Sequence, residues 1–159
     1  MSVVDEITSA NDAFASDFDG GDLPMPPGRA LAVVTCMDAR LDPAQFLGLD
    51  LGDAHVIRNA GGVVSDDALR SLVISHHLLG TQEAVVIGHS DCGMLTFTND
   101  DLRSRLGEPA AGIDFLPFPS VEDRVRESVE LIRESPLLPD SFEATGFVYD
   151  VASGRLEPV

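Results

Sequence analysis

Two short β-branched runs, each ending in side chains able to bind metal, constrain this chain more than any other feature. Val33-Val34-Thr35 leads into Cys36-Met37-Asp38-Ala39-Arg40, and Val85-Val86-Ile87-Gly88 leads into His89-Ser90-Asp91-Cys92-Gly93. Apolar runs of this kind, ending abruptly in polar residues, predict buried strands. The chain's two cysteines stand at the two ends. Ligands of open α/β sheets bind beyond the carboxyl ends of strands, so two such ends gather Cys36, Asp38, Arg40, His89 and Cys92 around one crevice.

Those residue types suit a metal. Zinc takes thiolate, imidazole and carboxylate ligands and is nearly always four-coordinate. His89-x-x-Cys92 offers two ligands on one turn, and Cys36 brings a second thiolate from a distant strand. The fourth corner is left to water or to a nearby carboxylate. Two other readings compete. The cysteines are ordinary buried thiols, or one of them forms a catalytic couple with His89, which leaves the other unexplained.

The rest of the chain supplies the scaffold. Val3, Ile7, Ala10, Phe14 and Phe18 form one apolar stripe on a helix over 3–18, and the Gly- and Pro-rich segment to Gly28 breaks it off from the first strand. Such a helix needs a surface, either its own sheet or a partner subunit. Strands are predicted over 30–35, 54–57, 84–88 and 144–149, with a short last one after a turn at 150–154. Helices are predicted over 44–47 behind Asp42-Pro43, from a Ser65 cap to Leu79 with Gly80 as stop, from Gly93 to Leu106, and after a Ser120/Asp123 capping pair. The stripe Leu69, Leu72, Val73, His76 and Leu79 and the stripe Val121, Val125, Val129 and Ile132 mark their buried faces. Residues 107–119 read as an ordered loop. Strands alternating with helices indicate an α/β fold with a mainly parallel central sheet flanked by helices. The expectation is one domain over 1–159, with an N-terminal helical arm at 1–20 and an α/β core at 28–159.

Charge narrows the partners. There are 27 acidic residues against 10 basic ones, all arginine, and the net charge is -17. A phosphate backbone would be repelled by such a surface, which excludes nucleic acid. Absence of lysine beside abundant aspartate suits a salt-adapted, halophilic protein whose self-repulsion is screened by counterions; an arginine-biased, GC-rich genome is the plainer source. The start of the chain has no basic, apolar leader and there is no long apolar run, so a soluble cytoplasmic protein without membrane contact is expected.

Cys36-Met37-Asp38-Ala39-Arg40 with His89-Ser90-Asp91-Cys92-Gly93 resembles the beta class of carbonic anhydrases. The likeness continues through Arg58-Asn59-Ala60-Gly61-Gly62, Leu79-Gly80-Thr81 and Tyr149-Asp150-Val151-x-x-Gly154-x-Leu156. The resemblance implies zinc held by Cys36, His89 and Cys92. Asp38 is then either the fourth ligand or a free carboxylate bonded to Arg40, which a plain structural ion pair would also explain. It implies reversible zinc-dependent hydration of carbon dioxide to bicarbonate and a proton, with Asp38 orienting the attacking hydroxide. It also implies a homodimer, or a larger assembly of dimers, in which the N-terminal helix lies across the neighbour. A carbonyl sulfide or carbon disulfide hydrolase on the same zinc scaffold is the nearest alternative. A non-catalytic zinc-stabilised binding protein is the alternative of another class. Many members of the class have asparagine where this chain has Gly62. Arg58 reads equally as structural or functional, and none of His55, His76 and His77 stands out as a proton shuttle.

Overall fold

The computed structural model describes residues 2–159. Its centre is β1 (Leu31–Cys36), in which Ala32 to Cys36 are all buried. A strand covered on both faces reads as a continuous apolar run, which is why this one was visible without alternation. Around it lie β2 (Ala54–Asn59), β3 (Glu83–His89), β4 (Glu143–Tyr149) and β5 (Leu156–Pro158), in the order β2-β1-β3-β4-β5. The first four are parallel and β5 is antiparallel to β4. Because β1 and β3 are adjacent and parallel, their carboxyl ends emerge side by side.

The helices cover this sheet. α2 (Pro43–Leu47) begins at Asp42, whose carboxylate accepts from the Gln45 amide, with Pro43 in the first helical position. α3 (Asp66–Leu79) is capped by Ser65 and stopped by Gly80, and Leu72, Ala68 and Ser75 are its buried residues. α5 (Val121–Arg133) buries Val121, Val125, Val129 and Ile132 as the spacing predicted. It lies so close to the sheet that a Cβ on Gly88 would stand 2.6 Å from a methyl of Val121. A side chain there would push helix and sheet apart.

Four expectations are corrected or refined. β2 runs on to Asn59, so Arg58 belongs to the strand and not to the turn after it. No helix starts at Gly93: Gly93–Leu95 is one 3-10 turn, and α4 (Asn99–Leu106) starts where Thr98 and Asp101 form a reciprocal capping box. The loop at 107–119 contains a 3-10 turn at Glu108–Ala110. Ser120 caps α5 through the Asp123 amide, but the Asp123 carboxylate pairs with Arg126 at 2.9 Å instead of reaching back.

α1 (Val3–Ser16) ends short of the predicted 3–18, begins at a Ser2–Asp5 capping box, and buries nothing. Val3, Ile7 and Phe14 are each more than 60% exposed, and the ring of Phe18 beyond the helix lies tilted against that of Phe14 with centroids 5.4 Å apart. Of the two surfaces it was expected to need, its own sheet is not one.

Candidate metal centre

The site forms where β1 and β3 end. Cys36 is the last residue of β1, His89 is the last of β3, and Cys92 closes the turn that follows. All three are buried, at 5%, 1% and 3% exposure. One donor atom from each lies within 4.8 Å of the other two, the sole such His/Cys/Asp/Glu group among the described residues. Parallel pairing of β1 with β3 thus brings together ligands that are far apart in sequence.

Hydrogen bonding fixes the histidine for a ligand's role. Nδ1 of His89 faces the Ser90 carbonyl at 2.9 Å, so that nitrogen carries the proton and Nε2 is left with its lone pair. Nε2 is buried and has no hydrogen-bond partner. A buried orphan nitrogen is costly unless something unrepresented satisfies it, and here it faces two sulfurs. That donor set fits zinc.

Electrostatics point the same way. The Cys92 thiol donates to Cys36 and, against the effect of burial, pulls the Cys36 pKa well down; His89 and the amides of Asp38 and Gly61 add to it. Cys92 is pushed up in turn by its bond to Cys36 and by burial. The two thiols are thus coupled, and one of them gives up its proton more readily than an isolated thiol would. Burial works against charge on His89, yet the adjacent Cys36 sulfur and its charge outweigh it and raise its pKa. A cluster that draws a proton onto a buried imidazole is one that favours a cation among its members.

Asp38 and Arg40 lie at the rim. Arg40 Nε and Nη2 grip the two Asp38 oxygens at 3.0 and 2.8 Å, and the Arg40 amide adds a bond of 2.9 Å. The side-chain and main-chain bonds from Arg40 hold the Asp38 carboxyl far below the usual carboxylate range. Asp38 Oδ2 is 3.8 Å from His89 Nε2, beside the three donors but bonded to Arg40. Both Asp38 oxygens are therefore engaged by Arg40 in this structure.

Residues outside the predicted ligand set complete the site. Arg58 donates from Nε to the Cys36 carbonyl at 2.9 Å and from Nη2 to the Asp38 carbonyl at 2.7 Å, clamping the ligand loop from β2. Asp91 accepts from Arg40 Nη1 at 2.8 Å. Asn59 pins the Ala60–Gly62 turn through both main-chain groups of Val63. A cavity of about 280 Å³ opens over the cluster, walled by Met37, Ala60, Gly61, Gly93 and Met94 with Asp38 as its charged group. The other histidines are elsewhere: His55 bonds Ser75, His76 the Thr81 carbonyl and His77 the Leu137 carbonyl.

Comparison with known proteins agrees with this geometry. The family model described as carbonic anhydrase matches residues 31–113. "Beta-carbonic anhydrase 1" of Mycobacterium tuberculosis is 47% identical over 163 residues, covering 100% of this chain and 99% of the relative. A "carbon disulfide hydrolase" of Acidianus is 35% identical over 83% of this chain and 78% of its own length. The crystal structure of a carbonic anhydrase from Streptococcus mutans superposes with a TM-score of 0.93 at 48% identity, over 100% of this chain and 98% of that one. With its cysteine, histidine and cysteine at adjoining strand ends and relatives matched along its whole length, the chain belongs to the beta-class carbonic anhydrase family.

Proposed function

We propose that the chain hydrates carbon dioxide reversibly to bicarbonate and a proton, with zinc held by Cys36, His89 and Cys92. The observation that carries this reading is the buried, unpartnered His89 Nε2 facing two thiols beside an Arg40-held carboxylate. Zinc bound there would supply the Lewis acidity that makes a nucleophile from water near neutral pH.

The chain's own groups do the rest. Cys36 and Cys92, both deprotonated in a loaded site, offset the charge of the ion, and the Ser90 carbonyl keeps His89 in the ligating tautomer. Asp38, kept ionised by Arg40, has lone pairs free to accept a hydrogen bond from the attacking oxygen and so turn that oxygen's reactive lone pair toward the substrate carbon. The Met37, Ala60, Gly61 and Met94 wall suits a small apolar linear molecule. No side chain of the cavity offers an imidazole, so the product proton leaves to buffer.

The test is stopped-flow hydration before and after zinc removal and restoration, with Cys92→Ser alongside. Activity should follow the metal, and Cys92→Ser should lose both; full activity in Cys92→Ser would overturn the ligand set. Hydrogen sulfide release from carbon disulfide, measured in parallel, separates the alternative substrate class.

A second copy of the chain is the proposed partner, with α1 laid across it. The support is an apolar helix face with no intramolecular cover. Removing residues 1–20 should yield monomer or aggregate without activity by light scattering and assay; an active, stable monomer would overturn it. No described helix is long and apolar enough to cross a membrane.

A further inference from the structure

Asp38 and Arg40 are two residues apart on a loop, and 47% of the Arg40 side chain is exposed. Ion pairs so placed are ordinarily loose. Here the guanidinium has a second anchor. While Nε and Nη2 grip Asp38, Nη1 donates to Asp91 Oδ2 at 2.8 Å and Nη2 also reaches the Asp91 carbonyl at 3.0 Å. One fork therefore ties the loop after β1 to the turn after β3.

Asp91 is itself unusual. Its φ is 55°, and only Ala30 and Leu116 are also non-glycine residues with positive φ among the described residues. Glycine adopts this conformation freely, whereas aspartate tolerates it at some cost. Its side chain is 80% exposed, and the Arg40 bond is the one its carboxylate makes. The left-handed turn presents both carboxylate and carbonyl to one guanidinium, which a glycine there would do only by half.

We propose that Asp91 is a positioning residue that holds the Arg40 fork against Asp38. So held, Asp38 keeps both oxygens on Arg40 and stays beside the space between Cys36, His89 and Cys92, not inside it. The inference rests on the reading of Asp38 as the hydrogen-bond acceptor that orients the nucleophile. Without the second anchor Arg40 swings toward solvent, and Asp38 is freed toward the cluster, where its Oδ2 is already only 3.8 Å from His89 Nε2.

Asp91→Gly tests this, because glycine keeps the turn while removing the carboxylate; Asp91→Asn retains a neutral acceptor in the same place. In ¹⁵N-labelled, zinc-loaded protein the Arg40 Nε–H should exchange with solvent about fivefold faster in Asp91→Gly, with kcat lower by a similar factor and KM unchanged. Asp91→Asn should fall between the two. Unchanged exchange and kcat in Asp91→Gly overturn the proposal. So does loss of zinc or early melting in that variant, since Asp91 would then be holding the turn and not Arg40. Arg40→Gln separates the underlying reading. If it lowers kcat while Asp91→Gly does not, only the role of Asp91 falls; if Arg40→Gln is fully active, the Asp38–Arg40 reading falls as well.

Discussion

Gly62 lies directly against the backbone of Cys36: a Cβ at position 62 would stand 2.8 Å from the Cys36 nitrogen, and φ of Gly62 is 63°. The turn after β2 is thereby pressed onto the residue that presents a metal-facing sulfur. Because the obstructing atoms are main chain, they cannot rotate away.

Gly62→Ala should therefore cost about 2–5 kcal/mol, the sum of left-handed strain and overpacking. Gly48 has a similar φ of 62° with nothing within 4 Å of its added Cβ. Gly48→Ala should lose only the backbone part, about 1–2 kcal/mol. Urea midpoints of the two variants isolate the close approach, and equal losses would remove it as an explanation.

The Arg58 clamp predicts a different signature. Arg58→Lys keeps the charge but loses the fork that spans the Cys36 and Asp38 carbonyls. Zinc transfer to a chromogenic chelator should become about tenfold faster, as expected for loss of a supporting contact around a metal ligand. A wild-type transfer rate in Arg58→Lys would reduce the clamp to a surface contact.

Acid should weaken the fold through named carboxylates. Asp114 is held below its ordinary value of 3.8 by the Leu116 amide first and then by Asn99. Thr98 does the same for Asp101, and the amides of Ser153 and Ala152 for Asp150. A lowered folded pKa means stability that is complete above the unfolded value and is lost as pH falls through the folded one. Melting temperature should thus be level in carboxylate-linked terms above about pH 5 and drop below about pH 4. Asp114→Asn should flatten that drop; an unchanged acid limb would count against the Asp114 share.

The metal cluster was legible because its ligands sit at the ends of apolar runs, where strand termination and chemical capability coincide. The buried stripe of α5 was legible for a similar reason, since Val121, Val125, Val129 and Ile132 carry the helical period in their spacing. The partners of Arg58 and the Asp91 contact of Arg40 were not. Arg58 reaches Cys36 and Asp38 because β2 pairs with β1 in a register that sets Thr35 opposite Arg58, and no local pattern specifies that register. The Asp91 contact depends on a left-handed backbone, which the sequence Ser90-Asp91-Cys92 does not announce. The start of α4 was placed at Gly93, whereas the Thr98–Asp101 box fixes it later.

α1 contributes no side chain to the core of its own molecule. A helix of this length is marginal alone in water. What keeps residues 3–16 coiled must then come from outside the monomer's interior. Under the dimer reading, the folding of this arm is tied to how many other copies are in solution, and the protein's two ends answer to different thermodynamic variables: the sheet to temperature and pH, the arm to dilution.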